Sequence, residues 1–317
     1  MSMSERVTIA VATYRRPDDL AAVLPLLLSH AAEAAAGGRA VEVLVVDNDA
    51  EASGRAVAEQ FAREGVRYVL EPEPGIASAR NRALSEAAAS DVLVFIDDDE
   101  RPHDGWLVRL LDTRQRSSAD AVAGAVVSAF EGELDPWVES GDFFRRRRLP
   151  TGTELTVAAT NNLLLDLHVV RRLGLTFDAA FGLTGGSDTL FTRQLTARGA
   201  RMVWCDEAVV TDRVPGARMT RDWVLRRAFR SGNSASRVDL TLADSLRQRL
   251  RVRVVALRRG TPRLVGGTAE WALGRVVRRD RMQSRGLRTA ARGAGMLAGA
   301  FGVAYAEYRR TGRSVRR

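Results

Sequence analysis

The 317 residues are 45% hydrophobic and 27% charged, which suffices for one large domain with a full core, with or without an extension. Every one of the 48 basic residues is arginine, so a catalytic lysine is excluded, and the single cysteine excludes an internal disulfide. We find neither an export signal nor an uninterrupted apolar run of roughly 20 residues, as a spanning helix needs. We therefore expect a cytoplasmic protein that is soluble or peripherally attached to a membrane.

The net charge of +9 is concentrated near the C-terminus. Residues 242–317 contain 19 arginines and four acidic residues, so the remainder of the chain is net acidic. The basic character therefore belongs to a C-terminal extension and not to the main domain. A separate arginine run at residues 145–148 is interpreted as a solvated loop surface.

The first half of the chain alternates short apolar runs with helical patterns. We predict strands at residues 7–12, 41–46, 66–70 and 91–96, and helices at residues 20–36, 53–64 and 76–89. Pro17 suits the first turn of the first helix, where Asp18 and Asp19 lie near its positive end. This alternation predicts an α/β fold with a mostly parallel sheet covered on both faces.

The second half has a less regular pattern. We predict strands at residues 121–129, 157–165 and 202–205, a long loop at residues 131–150 and a helix around residues 193–198. The fold class therefore depends mainly on the first half.

Polar clusters follow three of the predicted strands, at residues 13–16, 47–49 and 97–100. In open α/β sheets, ligands bind beyond the carboxyl ends of the strands. Because three separate strands deliver polar groups to the same edge, we expect these clusters to form one site.

The acidic cluster from Asp97 to Asp99 directly follows a buried strand. If the extended geometry persists, Asp97 and Asp99 point the same way, and Asp98 points elsewhere. Carboxylate oxygens are suitable ligands for Mg²⁺ or Mn²⁺. In a reaction that transfers a group from a nucleoside diphosphate, such a cation neutralises the negative charge that the leaving diphosphate gains. An isolated acidic triplet is more often a solvated turn, but its place after a buried strand favours a metal site.

Five motifs carry a resemblance to a known family: residues 12–16, 45–48, 75–81, 95–100 and 185–189. Over roughly residues 6–235 the sequence resembles glycosyltransferase family 2, which has the GT-A fold. Residues 214–227 resemble the branch that builds bacterial exopolysaccharides such as succinoglycan. The resemblance implies a Rossmann-like, mostly parallel sheet flanked by helices. It divides the chain into a nucleotide-sugar-binding half (1–105), an acceptor-binding half (106–240) and a basic helical extension (241–317).

The resemblance also implies a reaction and its site. An inverting enzyme would move a sugar from a nucleoside-diphosphate sugar, most often a UDP-sugar, to a hydroxyl of a glycan or lipid-linked acceptor, with Mn²⁺ or Mg²⁺ as cofactor. The implied nucleotide-sugar-binding residues are Thr13, Tyr14, Arg15, Asp47, Arg80, Asp97 and Asp98. The implied metal ligands are Asp97, Asp99 and Asp212.

Several of these residues have plainer interpretations. Thr13 and Tyr14 could simply lead into the first helix. Arg80 could be a helix-face arginine, and Asp212 could be a turn residue.

Asp188 is the candidate general base. In an inverting transfer it would remove the proton of the acceptor hydroxyl while that oxygen attacks the anomeric carbon. Many family members carry two acidic residues here, whereas this chain has Ser187 before Asp188, so Asp188 must act alone. The alternative is that Asp188 caps the following helix.

The basic extension suggests contact with the inner face of a membrane. Residues 249–259 mix arginine with aliphatic side chains, and residues 293–306 form an apolar run that suits a membrane interface. Two alternatives remain: the helices pack on the catalytic domain, with Gly295 and Gly299 allowing close contact, or they form an oligomer interface.

Three other functions fit parts of the sequence. A sugar-1-phosphate nucleotidyltransferase would want a glycine-rich N-terminal loop and a lysine, and the chain has neither. A nucleic-acid binder is disfavoured because the motif-bearing domain is net acidic. A catalytically silent homologue remains open because of Ser187.

Overall fold

The computed structural model describes residues 4–305 and divides the chain into two compact units. The first unit comprises residues up to 133, 144–178 and 187–216, and the second comprises residues 134–143, 179–186 and those from 217 onwards. The predicted boundaries at residues 105 and 240 divide the chain by expected function, whereas these units are defined by packing. The predicted functional division stays a prediction. Residues 306–317 of the predicted extension lie outside the described residues.

Eight strands and ten α-helices are described. The strands are β1 (Arg6–Thr13), β2 (Ala40–Asp47), β3 (Val66–Leu70), β4 (Val92–Asp97), β5 (Glu100–Pro102), β6 (Ala121–Phe130), β7 (Asn162–Asp166) and β8 (Met202–Val214). The helices are α1 (Pro17–Ala36), α2 (Arg55–Gln60), α3 (Ile76–Glu86), α4 (Trp106–Ser117), α5 (Pro136–Ser140), α6 (Leu167–Arg172), α7 (Ser187–Ala197), α8 (Arg221–Thr241), α9 (Leu246–Val276) and α10 (Asp280–Ala300).

The first unit is built on one mixed sheet with the strand order β3-β2-β1-β4-β7-β6-β8-β5. Strands β1 to β4 are parallel, as predicted, and β6 pairs with β8 in parallel. Strands β7 and β5 run antiparallel to their neighbours. Apolar side chains are buried on both faces of the sheet, in two core clusters. The predicted α/β class is confirmed.

Helix α1 belongs to the core of this unit. Pro17 lies at its start, as predicted, and Leu20, Leu24 and Leu27 are fully buried in the core cluster that includes β1 and β2. In the described part of the chain, α1 is the one helix whose length and apolar composition would suit a membrane span. Its buried leucine face instead identifies it as a helix of the core.

The second half departs from prediction at three places. The strand predicted at residues 157–165 begins only at Asn162. Strand β8 continues to Val214, well beyond the predicted end at Cys205, because the polar pair Asp206–Glu207 interrupts its apolar pattern without ending the strand. The predicted loop at residues 131–150 contains the short helix α5, whose first turn is capped by Asp135.

The second unit consists mainly of α8, α9 and α10, and glycines let these helices approach closely. A Cβ atom on Gly295 would overlap the carbonyl of Phe229, and one on Gly299 would overlap the carbonyl of Asn233. These two glycines therefore allow close contact with α8, which belongs to the same unit, and packing of the extension on the catalytic domain stays a prediction. Within the apolar run at residues 293–306, Gly293, Gly295, Gly299 and Ala300 are buried, whereas Phe301 and Val303 are exposed.

Candidate active site

The carboxyl ends of β1, β2 and β4 bring predicted site residues to one edge of the sheet. Thr13 pairs with Asp47 in the register of β1 and β2, and Ala12 pairs with Asp97 in the register of β1 and β4. Parallel strands that end at the same level present the residues that follow them to one ligand site. The predicted convergence of the polar clusters is therefore present in the structure.

Asp98 is anchored to the segment that follows β1. Its carboxylate accepts hydrogen bonds from Thr13 Oγ1 (2.8 Å) and from Arg16 Nη1 (3.1 Å). Burial raises the pKa of Asp98 to about 7, against the opposing influence of Arg16. Asp98 does not lie apart from Asp99, because the chain turns at these two residues and Arg16 Nη1 contacts both carboxylates. The role of Asp98 toward a nucleotide sugar stays a prediction.

Asp97 lies at the electrostatic centre of the edge. Burial is the main reason that the pKa of Asp97 is raised to about 6, and the Arg80 guanidinium opposes that shift. Three further carboxylates are close enough to raise it: Asp99, Asp188 and Asp212. The structure therefore gathers the predicted base and the predicted metal ligands within electrostatic reach of one another.

Glu100 adds a further buried carboxylate, which the sequence did not single out. It is 1% exposed, and burial raises its pKa well above the usual range. Asn161 Nδ2 donates a hydrogen bond to the Glu100 carboxylate (2.5 Å). In the backbone register of β5 and β8, Glu100 lies opposite Asp212. Its position within the Phe95–Glu100 motif was the signal that could have identified it.

The predicted metal set Asp97, Asp99 and Asp212 is not assembled in this structure. Among residues 4–305, no group of three histidine, cysteine or acidic side chains converges as metal ligands. The physical reason is competition by arginine, because Arg16 Nη1 lies 2.9 Å from Asp99 Oδ2 and Arg146 pairs with Asp212. The turn alternative for Asp212 is also wrong, since this residue lies within β8.

The residues present still suit a divalent cation. Hard cations prefer carboxylate oxygens, and Mg²⁺ often takes only one or two of them, together with phosphate oxygens of the substrate. Burial is the main cause of the raised pKa values of Asp97 and Glu100, neighbouring carboxylates add to it, and a cation bound nearby would favour the charged forms. Asp97 and Asp99 supply suitable donors at the strand edge.

Asp47 has a structural role that the sequence did not predict. It is fully buried, and its carboxylate accepts hydrogen bonds from the backbone N–H groups of Asp49 (3.0 Å) and Gly54 (2.7 Å) and from the hydroxyl of Tyr68 (3.1 Å). These bonds order the loop after β2. A contact between Asp47 and a nucleotide base stays a prediction.

Tyr14 and Arg15 lie in the segment between β1 and α1. Arg15 has a left-handed backbone (φ 54°), and its guanidinium lies over the Tyr14 ring (5.4 Å from the centroid). Its side chain is 55% exposed and forms an ion pair with Asp49 (3.2 Å). A strained, partly exposed arginine beside an aromatic ring is compatible with a nucleotide pocket.

Arg80 lies on a helix face, as the plainer interpretation had it, but that face is turned to the interior of the first unit. It lies on α3, is 8% exposed, and donates a hydrogen bond from Nη1 to Ser187 Oγ (3.2 Å). Its guanidinium also lies over the ring of Phe177 (5.7 Å). Guanidinium groups bind phosphate oxygens well, so Arg80 suits the predicted contact with a diphosphate.

Asp188 lies in the first turn of α7 and is partly exposed. Its Oδ1 accepts a hydrogen bond from the backbone N–H of the next residue, Thr189 (2.7 Å). Asp188 is within the helix rather than before it, so the capping alternative is not the geometry observed. Its electrostatic effect on Asp97 puts it at the candidate site.

Two arginines of this site were missed. Arg16 belongs to a motif that carried the resemblance, yet no role was assigned to it. Arg146 comes from the run interpreted as a solvated surface, whereas it pairs with Asp212. Composition alone could not reveal this pairing, because the partners are far apart in sequence.

Comparison with known proteins agrees with the resemblance. A family model described as "Glycosyl transferase family 2" matches residues 8–174. Succinoglycan biosynthesis protein ExoM of Rhizobium meliloti (strain 1021) is 34% identical over 257 residues, which cover 80% of this chain and 82% of ExoM. Glycosyltransferase AglE of Haloferax volcanii is 26% identical over 65% of this chain and 66% of AglE.

Solved structures share the fold at low sequence identity. S. aureus TarS 1-349 in complex with UDP-GlcNAc is 14% identical, with a TM-score of 0.52 over 90% of each chain. GalNAc-T7 with UDP, GalNAc and Mn²⁺ is 11% identical, with a TM-score of 0.52 over 74% of this chain and 51% of that one. The family match covers more than half of this chain, and ExoM is similar over most of its own length. The chain belongs to glycosyltransferase family 2.

Proposed function

We propose that the protein is an inverting, metal-dependent glycosyltransferase that uses a nucleoside-diphosphate sugar, foremost a UDP-sugar. The proposal is supported by the electrostatic influence of Asp99, Asp188 and the buried Arg80 on Asp97, which lies at the end of β4. Acidic and basic groups so arranged match a reaction in which a diphosphate leaves and an acceptor loses a proton.

The donor would bind at the ends of β1 and β4. Thr13, Tyr14 and Arg15 would border the base and ribose, Arg80 would contact the diphosphate, and Asp97 and Asp98 would contact the nucleotide sugar. The choice of UDP is supported by the fold shared with TarS, solved with UDP-GlcNAc. The second observation in favour is that Arg80 is buried and oriented by Ser187.

Asp97 and Asp99 would hold Mn²⁺ or Mg²⁺ together with the diphosphate, and Asp212 would lie near it once released from Arg146. When bound, the cation supplies Lewis-acid stabilisation of the leaving diphosphate. The fold shared with GalNAc-T7, solved with Mn²⁺, supports the choice of metal.

Asp188 would act as the general base. The acceptor oxygen would form a bond to the anomeric carbon as the bond to the diphosphate oxygen breaks, and the hydroxyl proton would pass to the Asp188 carboxylate. Ser187 cannot share this role because its hydroxyl is not basic at neutral pH. Asp188 would therefore account for all base catalysis.

The acceptor would be a glycan or a lipid-linked intermediate at the cytoplasmic face of the inner membrane. Similarity to a succinoglycan biosynthesis protein supports an acceptor of this kind. The family match disfavours the nucleotidyltransferase alternative. A silent homologue would keep the donor site and lack turnover.

A thermal-shift screen of UDP-, GDP- and dTDP-sugars, each with and without Mn²⁺, tests the proposal. We expect one nucleotide class to raise the melting temperature, and only when Mn²⁺ is present. Stabilisation by a nucleotide sugar without any transfer or hydrolysis would favour the silent homologue. No response to any donor would contradict the proposal.

A further inference from the structure

The exposed apolar side chains of the protein are unevenly distributed. Among the described residues, 13 large hydrophobic side chains are exposed, and ten of them lie between residues 246 and 303. Seven are on α9 alone: Leu246, Leu250, Val254, Leu257, Val265, Leu273 and Val276. Contiguous exposed apolar surface on a protein usually marks a binding surface.

None of these side chains belongs to the buried strip of α9 that packs against α10. The buried residues of α9 are Ala256, Gly260, Gly267 and Gly274, and a Cβ atom on Gly267 would meet the backbone of α10. Packing by small residues fixes that face against α10. The rest of the helix surface is exposed and carries the apolar side chains named above, and we call it the outer face of α9.

An arginine row runs beside an apolar row on this face. Leu246, Leu250 and Leu257 are 84%, 62% and 42% exposed. One position further along the chain come Arg247, Arg251 and Arg258, which are also exposed. The two rows have the same spacing and are offset by one residue, which is about 100° around the helix axis, so they line adjacent sides of the exposed surface.

We propose that the outer face of α9 docks on an anionic lipid bilayer. The apolar row would enter the interface between headgroups and acyl chains, and the arginine row would reach lipid phosphates. The proposal takes only the compartment, the inner face of the membrane, from the proposed function. It assigns the membrane contact to α9 rather than to residues 293–306.

A bilayer fits this face better than a second copy of the chain. Self-association through the outer face would bring two arginine rows together, and like charges at an interface are costly. A nucleic acid would suit the arginines, but it offers nothing to bury the leucines. An anionic bilayer satisfies both rows at once.

Co-sedimentation of the full-length protein with vesicles tests the proposal. We expect binding to vesicles of phosphatidylglycerol and phosphatidylcholine at a 3:7 ratio, and much weaker binding to phosphatidylcholine alone or at high salt. Equal binding to both vesicle types, or none to either, would overturn the proposal.

Two triple variants locate the surface. Replacing Arg247, Arg251 and Arg258 with glutamine should lower the partition coefficient on anionic vesicles on the order of 100-fold. The matched control replaces three exposed arginines of the first unit with glutamine, and it therefore removes the same net charge. These are Arg63, Arg116 and Arg172. An equal loss in both variants would show that net charge alone drives binding and would contradict a specific α9 surface.

A variant with apolar side chains replaced tests whether the apolar residues of α9 contribute to vesicle binding. It also tests whether a second copy of the chain binds this face instead. Leu250→Ser combined with Val265→Ser should weaken vesicle binding about tenfold or more, whereas Val157→Ser, at an exposed site outside α9, should not. Light scattering of the free protein should give a monomer for all variants. A wild-type dimer dissociated by the α9 variant would identify a second copy as the occupant instead.

The test is separable from the proposed function. Hydrolysis of a UDP-sugar without vesicles should be unchanged in both α9 variants, because none of these residues lies at the sheet edge. Vesicle binding without any nucleotide-sugar response would contradict the transferase proposal and leave the lipid surface supported.

Discussion

Arg80 Nη1 donates a hydrogen bond to Ser187 Oγ (3.2 Å), and this bond joins α3 to the start of α7. Arg80 is almost fully buried, and its partner in this bond is neutral. Its positive charge is therefore available to act on Asp97, whose pKa it lowers against the effect of burial. A carboxylate at position 187 would instead pair with Arg80.

Ser187→Glu is expected to weaken donor binding. The new carboxylate would pair with Arg80 and repel the diphosphate, so we expect the KM for the nucleotide sugar to rise on the order of tenfold or more. Steady-state kinetics with a purified donor checks this. Ser187→Thr keeps the hydroxyl and should retain the wild-type KM; a raised KM in both variants would indicate a packing effect.

Asp188→Asn is expected to abolish base catalysis while preserving donor binding. We expect kcat to fall about 10²- to 10⁴-fold, since general-base catalysis usually contributes that much. The thermal shift produced by donor and Mn²⁺ should remain. Retention of most of the activity would show that another group removes the proton.

Arg16→Gln is expected to strengthen metal binding. Arg16 occupies Asp98 and Asp99 at once, so its removal frees oxygens for a cation. Titration calorimetry with Mn²⁺ should show several-fold tighter binding than in the wild type. Arg39→Gln, which removes an arginine paired with Glu5, is the control and should leave Mn²⁺ affinity unchanged. Weaker binding after Arg16→Gln would mean that Arg16 supports the metal site.

Stability should fall as pH rises toward neutrality in the absence of divalent metal. Burial raises the pKa of Asp98 from 3.8 to about 7, so the folded state holds a proton that the unfolded state releases. That stabilisation is complete below the unfolded pKa and is lost as pH rises through the folded pKa. Melting temperatures from pH 4 to 7.5 should decline less for Asp98→Asn than for the wild type; parallel curves would contradict the assignment.

Gly295→Ala is expected to destabilise the second unit. A Cβ atom there would overlap the carbonyl of Phe229, and overpacking of this kind costs about 1–3 kcal/mol. Gly266→Ala in α9 is the matched control, because its Cβ would meet nothing within 4 Å. The control should stabilise by up to roughly 1 kcal/mol. Both changes can be measured by urea denaturation.

The parallel half of the sheet could be predicted from the sequence because each of its strands is recognisable from a short stretch of neighbouring residues. Each of β1 to β4 is a short apolar run, and the polar residues that follow it need only parallel order to meet. Asp97 and Asp188 lie far apart in the chain, and they could be placed at one site only through the family resemblance. Their separate contributions to turnover stay predictions.

The pairings that the sequence could not predict depend on tertiary contacts. Nothing local distinguishes Arg146, which holds Asp212, from its neighbours in the same arginine run. The same limit applies to α10, because small apolar residues suit both a lipid interface and close helix packing. The structure shows close packing against the backbone of α8 at Gly295, which no local pattern in the sequence could reveal.

The link from Thr13 and Arg16 to Asp98 and Asp99 has a thermodynamic consequence. The segment proposed to hold the base and the carboxylates proposed to hold the cation are one hydrogen-bonded assembly, so neither can shift alone. Any factor by which the nucleotide changes metal affinity must equal the factor by which metal changes nucleotide affinity. Arg16 would then set the cooperativity of the two ligands, and the occupancy of each in the cell would depend on the concentration of the other.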